Sequence, residues 1–486
     1  MTATNRLIAF FAWLVIAPAA FAAGCPGTRT DCPSINANRG AFATVDVAGD
    51  ITPQSIGLTL YCAYYASLQA CYAALPSTGG RMVLAPDTTY TLSAQWNIAK
   101  PNVNIECPSW NTVIKRDAVL TAELIYMHGA GDRIFNCTID GNGGVNVTNA
   151  NSELDVAGAS SIADHVQVIN ARTIAVTVDA PNARITNSTI TGMGTDANSY
   201  GIWAIAHYTV TIDNNIITNT GIDAIGFDGI GSKVIGNRIS NHHCYTGVGG
   251  GGIVAYTGGA NNVANAVIAN NTIDAGCAGN SSGMELSGSN LLIVGNTVLN
   301  QKFLGIILED GAGFTVTGNV IRNSGTVNPS PGLLVNASVS SVQITSNRIV
   351  DDQGTHTQTY GVQVQTGASN SYLIANNLFA GNLTAPIFDG GTGLNKTISG
   401  NVGVDDVVPV VATAAAFPMP LNPVVATTGA TTMTSVSGSK WTGRQVRMLP
   451  GSGFAITAGN NIGNSKTVSA GVPVSAIYDG TLWWFQ

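Results

Sequence analysis

The sequence predicts an all-β chain whose main body is a parallel β-solenoid, with a cap before it and a small β module after it. Three observations lead there. An asparagine followed by a small apolar pair recurs at Asn215, Asn237, Asn271, Asn296, Asn319, Asn347, Asn377 and Asn401, in steps of 22, 34, 25, 23, 28, 30 and 24 residues. A glycine that opens a short alternating strand keeps the same phase: Gly201-Ile202-Trp203, Gly221-Ile222-Asp223, Gly252-Ile253-Val254, Gly283-Met284-Glu285, Gly305-Ile306-Ile307, Gly332-Leu333-Leu334 and Gly361-Val362-Gln363. Finally, only 10% of the residues are charged while 45% are hydrophobic, and 57 are glycine. An ordinary domain is about 25% charged, so this surface must be built from Asn, Ser, Thr and Gly, the residues of turns between stacked strands. Units this short cannot bury their apolar faces alone and must stack on their neighbours. The asparagines then fall one above another at a turn, where Asn tolerates left-handed backbone and its amide can bond the next rung. Helical repeats would need apolar residues at 3.6 spacing and would avoid this density of Gly and Asn.

From the N-terminus, Arg6, the apolar run 7–16 and Ala20-Phe21-Ala22 read as an export signal over residues 1–22, which places the mature chain outside the cytoplasm, secreted or periplasmic. The apolar run is too short to span a bilayer and no later run reaches 18 residues, so no membrane span is expected; lipid attachment at Cys25 is the alternative fate of the leader. A net charge of −7 without a basic cluster argues against nucleic acid as a partner.

Residues 23–95 form the cap. Thr52-Pro53 reads as a helix start, with Ile56, Leu60, Tyr64 and Leu68 as the stripe that plugs the open end of the solenoid. The coils occupy 96–403. Residues 404–423, rich in Val, Ala and Pro, read as a linker, and 424–486 as the C-terminal β module.

In an exported chain the eight cysteines read as disulfides, and the lack of a C-x-x-C pair argues against structural zinc. Cys244, seven residues after Asn237, and Cys277, six after Asn271, share a loop column in successive coils and suit a bridge. Cys107 and Cys137 bridge adjacent coils by the same logic. Cys62 and Cys71, nine apart on the expected helix, face opposite ways, so each is expected to pair with Cys25 or Cys32.

The coils from about Gly80 to Asn401, preceded by the helix and by Gly79-Gly80-Arg81-Met82-Val83-Leu84-Ala85-Pro86-Asp87-Thr88-Thr89-Tyr90, resemble the right-handed parallel β-helix of the pectate-lyase-like superfamily and its N-terminal cap. The resemblance implies right-handed coils and a polysaccharide partner. The C-terminal segment, ending in Trp483-Trp484-Phe485, resembles the β modules that follow β-helices in tailspike-like and secreted polysaccharide-active proteins, which implies a homotrimer if it assembles chains and a monomer if it only caps the last coil.

Counting from each glycine, the second residue forms an outward column (Trp203, Asp223, Val254, Glu285, Ile307) and the fourth a parallel one (Ile205, Ile225, Tyr256, Ser287, Glu309). Asp223, Tyr256, Glu285 and Glu309 thus share one face, and the loop 240–251, with His242, His243, Cys244 and Tyr245, is expected to wall it. Acids, histidines and tyrosines gathered in a chain so poor in charge mark the candidate site. Two chemistries fit. A lyase acting on a uronate polymer, slightly favoured, would use Asp223, Glu285 and Glu309 to hold Ca²⁺, His242, His243 or Tyr256 as acid and base, and Lys233 or Lys302 for the substrate charge. A hydrolase would use two carboxyl groups such as Asp223 and Glu285. Gly226-Phe227-Asp228 resembles part of the catalytic strand of alginate C5-epimerases and adds Asp228, although Gly229-Ile230-Gly231 replaces the expected Pro-His-Glu. Trp203 and Tyr245 complete the substrate-binding candidates, Trp203 as a stacking surface. Against these stand plainer roles: Asp228 capping a turn, Glu309 in a solvated turn, the histidines exposed on their loop, Trp203 packing beneath a loop, and a carbohydrate-binding or structural β-helix without catalysis.

Overall fold

The computed structural model describes residues 58–143, 152–192, 199–246, 249–258 and 261–486. The export signal, Cys25, Cys32, Thr52-Pro53 and Ile56 lie outside them.

Three parallel sheets of 14, 12 and 12 strands wind around a common core. Each coil contributes one strand to each sheet, so every strand pairs with its counterparts one coil before and after, as Val267–Ala269 does with Lys233–Ile235 and Leu292–Val294. Within a strand, alternation sends one set of side chains inward. Ile212, Val234, Ile268, Ile293 and Val316 stack in one such inward row without solvent exposure.

The asparagine ladder is continuous from Asn215 to Asn401. Each ladder Oδ1 accepts from the backbone N–H and the Nδ2 of the preceding ladder residue, as Asn296 does from Asn271 at 3.0 Å in both cases. Each Nδ2 also donates to a strand carbonyl, here Ile268 at 2.9 Å. The left-handed residue is not the ladder asparagine but the one before it: Asn214, Gly236, Asn270, Gly295, Gly318, Ser346, Asn376 and Gly400 all have φ between 55° and 69°. The glycine repeat has a steric cause. A Cβ at Gly252, Gly283, Gly305 or Gly332 would stand 2.4–2.7 Å from a core methyl of Ile273, Val298, Ile321 or Ile349 in the sheet just left, far inside van der Waals contact.

The cap is present, but its helix is shorter than the stripe suggested. Thr59–Tyr61 is a strand that extends the 14-stranded sheet beside Gly80–Val83. It is followed by a single 3₁₀ turn, Cys62–Tyr64, and then a short helix, Leu68–Ala73, whose first turn is capped by the Ser67 hydroxyl accepting from Ala70 N–H. Leu60 therefore belongs to a strand, and Tyr64 is exposed. Because the chain turns between the two cysteines, Cys62 and Cys71 come within a Cα separation of 5.4 Å and pair with each other, not with Cys25 or Cys32. Cys107–Cys137 and Cys244–Cys277 are bridged as the coil register predicts.

Residues 404–423 are more than a linker. Val410–Ala412 pairs with Val424–Thr428, and Ala416–Pro418 with Ser435–Ser437. The five-stranded sheet they help to build encloses its own core around Phe417, Met448 and Trp483. Trp441, not the terminal tryptophans, packs into the solenoid core. No helix among the described residues is long and apolar enough to cross a membrane.

Candidate active site: an acidic groove with an aromatic shelf

The second sheet, whose strands run from Trp96–Ile98 to Ala385–Gly391, carries the chemistry. Its register aligns Tyr126, Asp155, Thr177, Trp203, Gly226, Val254, Glu285 and Ile307 in one outward column. Asp223 is not in that column. In its coil the inner corner is Ala224, so the strand reads Ala224-Ile225-Gly226, and the glycine used for phasing, Gly221, sits three residues early in the turn. Ile225 accordingly points into the core and Asp228, two residues beyond Gly226, takes the outward place expected for it.

The absence of a side chain at Gly226 shapes the centre of the groove. A Cβ there would lie 2.9 Å from Trp203 Cε3 and 3.1 Å from Tyr256 Cε2, so these two rings close over the glycine from opposite sides. Tyr200 leans on the other face of Trp203 with ring centroids 4.2 Å apart, and Tyr256 meets Trp203 edge-on at 5.3 Å. The result is an aromatic shelf of half-buried rings. Reaching past Gly226, the Tyr256 hydroxyl donates a short hydrogen bond to Asp223 Oδ2, while Gly251 N–H donates to Oδ1 at 3.0 Å.

Asp223 has no solvent exposure, and burial pushes its carboxyl up to about 7 against the pull of those two donors. Glu285, half-buried one rung beyond Val254, is also pushed up to about 7, first by burial and then by the charges of Asp223 and Glu309, with the Ser282 hydroxyl opposing. Tyr256 is raised by burial and by Asp223, so it keeps its proton; burial and Asp223 likewise push Tyr200 up to about 12. Glu309, on the coil after Glu285 and half-exposed, accepts from Ser287 Oγ at 3.3 Å. Asp223, Tyr256, Glu285 and Glu309 are therefore brought together, although Asp223 stands beneath the surface.

His242 and His243 do not wall the groove. Their backbone stacks between neighbouring coils: His243 N–H donates to Ile222 O, and Cys277 and Ala278 N–H donate to His242 O and His243 O. Both histidines are fully buried. His242 Nε2 pairs with Gln301 Oε1 at 3.1 Å, and burial drives its pKa down to about 3, so it stays neutral behind the sheet. Tyr245 is held by its N–H to Gly221 O. Lys233 is exposed on the 14-stranded sheet, a different face, and Lys302 Nζ donates to the Cys277 carbonyl, so neither supplies the groove with a free cation.

Sequence reasoning missed His207. Its Nδ1 lies 2.6 Å from Asp228 Oδ2 and its backbone N–H donates to Oδ1 at 2.8 Å. The spacing of 21 residues between them, one coil, was the available signal. Asp228 is raised by burial, with His207 opposing.

Calcium, which the lyase reading would place on Asp223, Glu285 and Glu309, does not suit this donor set. Both Asp223 oxygens are already engaged by Tyr256 and Gly251, and among the described residues no three His, Cys, Asp or Glu side chains converge as metal ligands.

The right-handed β-helix region family model matches residues 172–327 and 247–402. No curated protein matches the chain in sequence. Similar solved structures include the mannuronan C-5 epimerase AlgE6 A-module of Azotobacter vinelandii, at 17% identity and a TM-score of 0.52 over 69% of this chain and 93% of that one. The catalytic unit of a GH87 α-1,3-glucanase from Streptomyces thermodiastaticus aligns at 16% identity and a TM-score of 0.53, covering 75% of this chain and 68% of its own. The periplasmic alginate epimerase AlgG aligns at 13% and 0.50, over 72% and 86%. Such identities speak for the fold alone, and the chain carries a right-handed parallel β-helix.

Proposed function

We propose that the protein is an exported enzyme that hydrolyses a polysaccharide lying along the groove, with Glu285 as general acid and Glu309 as the second carboxyl group. The observation that carries this reading is Glu285 itself, a carboxyl in the outward column beside an aromatic shelf, pushed up to about 7 by burial and by two neighbouring acids. A glycosidase needs one carboxylic acid still protonated near neutral pH and a second carboxylate within reach of the same bond. Trp203 and Tyr200 offer the apolar face of a sugar a stacking surface. Tyr256 and Asp223 are positioning residues that hold the shelf. The structural neighbours, a glucanase and two epimerases of polysaccharides, keep the substrate class in view by analogy of fold alone.

The β-elimination favoured by the sequence has less support. It needs a base and a cation for the uronate carboxylate, yet Tyr256 is held protonated and Lys233 and Lys302 lie elsewhere. Incubation with a panel of neutral and uronate glycans tests the proposal: new reducing ends without rising ultraviolet absorbance support hydrolysis, and unsaturated, absorbing products overturn it in favour of elimination.

A further inference from the structure

The outward column continues beyond the shelf. Three rungs toward the N-terminus from Trp203, about 14 Å at 4.8 Å per rung, it holds Tyr126, with Asp155 on the next rung. Leu154 and Val156 are both core residues without exposure, so alternation turns the Asp155 side chain outward into the groove. Asp155 is nonetheless 8% exposed, and its Oδ1 has no hydrogen-bond partner. Burial, then the charges of Asp179 and Glu123, push its carboxyl up to about 7. Beside it the Tyr126 and His128 rings stack at 4.7 Å and 17°, with His128 Nε2 fixed 2.6 Å from Asn97 Oδ1.

A buried acceptor without a donor needs an explanation, and here it stands next to a flat aromatic stack in line with the shelf. Elsewhere acids of this fold meet cations: Glu153 pairs with Arg116, Asp164 with Arg133 and Asp213 with Arg184. Among the described residues Asp155, Asp179 and Glu123 form no ion pair. Among the described residues this patch gathers three acids without a countercharge, which favours a positively charged ligand and disfavours a polyuronate.

We propose that this patch is a second sugar subsite of the same groove and that it takes a hexosamine with a free amino group, the ammonium donating to Asp155 while the ring lies on the Tyr126–His128 stack. The inference rests on the reading that the groove binds glycan. It adds a substrate class to that reading.

The test uses the full-length chain carrying Glu285→Gln, so that binding is read without turnover. Glucosamine oligomers, the same oligomers N-acetylated, and galacturonate oligomers of equal length are titrated by calorimetry at neutral pH. The free-amine oligomer should bind about tenfold more tightly than its acetylated form, the scale of one charge-assisted hydrogen bond. Asp155→Asn should abolish that preference and leave the acetylated oligomer's affinity unchanged, whereas Tyr126→Ala should weaken both. Equal binding of the two forms, a preference that survives Asp155→Asn, tightest binding of galacturonate, or no binding by any of the three overturns the subsite. A wild-type chain that hydrolyses a glycan without any amine preference keeps the proposed function and loses only this inference. Amine-dependent binding without hydrolysis of any glycan does the reverse.

Discussion

The Tyr256 hydroxyl donates to the buried Asp223 carboxylate from 33 residues further along the chain, across the bare backbone of Gly226. One missing side chain thus lets an aromatic shelf close and gives a buried acid its donor. Gly226→Ala should open that arrangement. Its Cβ would meet Trp203 at 2.9 Å and Tyr256 at 3.1 Å, and overpacking of this kind costs about 1–3 kcal/mol. A lowered denaturation midpoint together with weakened glycan binding is expected. Unchanged glycan binding would show that the shelf does not serve the substrate.

Removing that donor directly has a pH signature. In Tyr256→Phe, Asp223 keeps only Gly251 N–H, and a buried acceptor deprived of its partner costs about 1–3 kcal/mol. The loss should be larger at pH 8, where Asp223 is ionised, than at pH 5, where it carries a proton. Denaturant titrations at the two pH values check this.

The whole chain should be more stable on the acid side of neutrality. Asp132, Glu153, Asp155, Asp223 and Glu285 are each pushed up to about 7, burial being the first cause in every case. Their folded values lie above the ordinary 3.8 or 4.5, so the stability they contribute is fully present below those ordinary values and is lost as pH rises through about 7. His242 opposes them: its folded value, down to about 3, lies below the ordinary 6.5, so it removes stability as pH falls below 6.5. Five groups against one leave a net fall in the denaturation midpoint between about pH 5 and pH 8, and Asp223→Asn should make that fall shallower by the share of one group. A midpoint that rises over that range would contradict these assignments.

The ladder gives a sharper stability test. Asn296 accepts from Asn271 twice and donates to Ile268 O and Asn319 Oδ1. Asn296→Ala strands the Asn271 N–H and Nδ2 and the Ile268 carbonyl in the core, while Asn319 Oδ1 keeps the backbone N–H of residue 296; with about 1–3 kcal/mol for each unsatisfied group, it should cost several kcal/mol in chemical denaturation, more than Ala at the exposed Asn300.

The solenoid was legible because its repeat has a mechanical basis in sequence: the ladder amide recurs once per coil from Asn215 to Asn401, and a glycine stands at the corner of most of those coils. The same marks misled at Asp223. Its coil uses Ala224 at the corner, so the nearest glycine gave a phase three residues early and moved a buried acid into the outward column. His242 and His243 looked like a groove wall because loop residues normally face water, yet this loop's backbone is hydrogen-bonded between the coils on either side. The cap was misread for another reason. An i+4 stripe cannot distinguish one helix from a strand, a 3₁₀ turn and a helix laid end to end over 59–73. What sequence alone could not supply was the lateral packing of the shelf, since Tyr200, Trp203 and Tyr256 meet only through the stacking of three coils.

The most direct measurement of the central claim is the rate of reducing-end release by the wild type and by Glu285→Gln across pH. Hydrolysis with Glu285 as general acid predicts a wild-type rate that falls as pH rises through about 7 and a loss of about 10²–10⁴-fold in the variant, whose melting curve stays intact. A variant that retains the wild-type rate, or a wild type whose activity keeps rising above that pH, would contradict it.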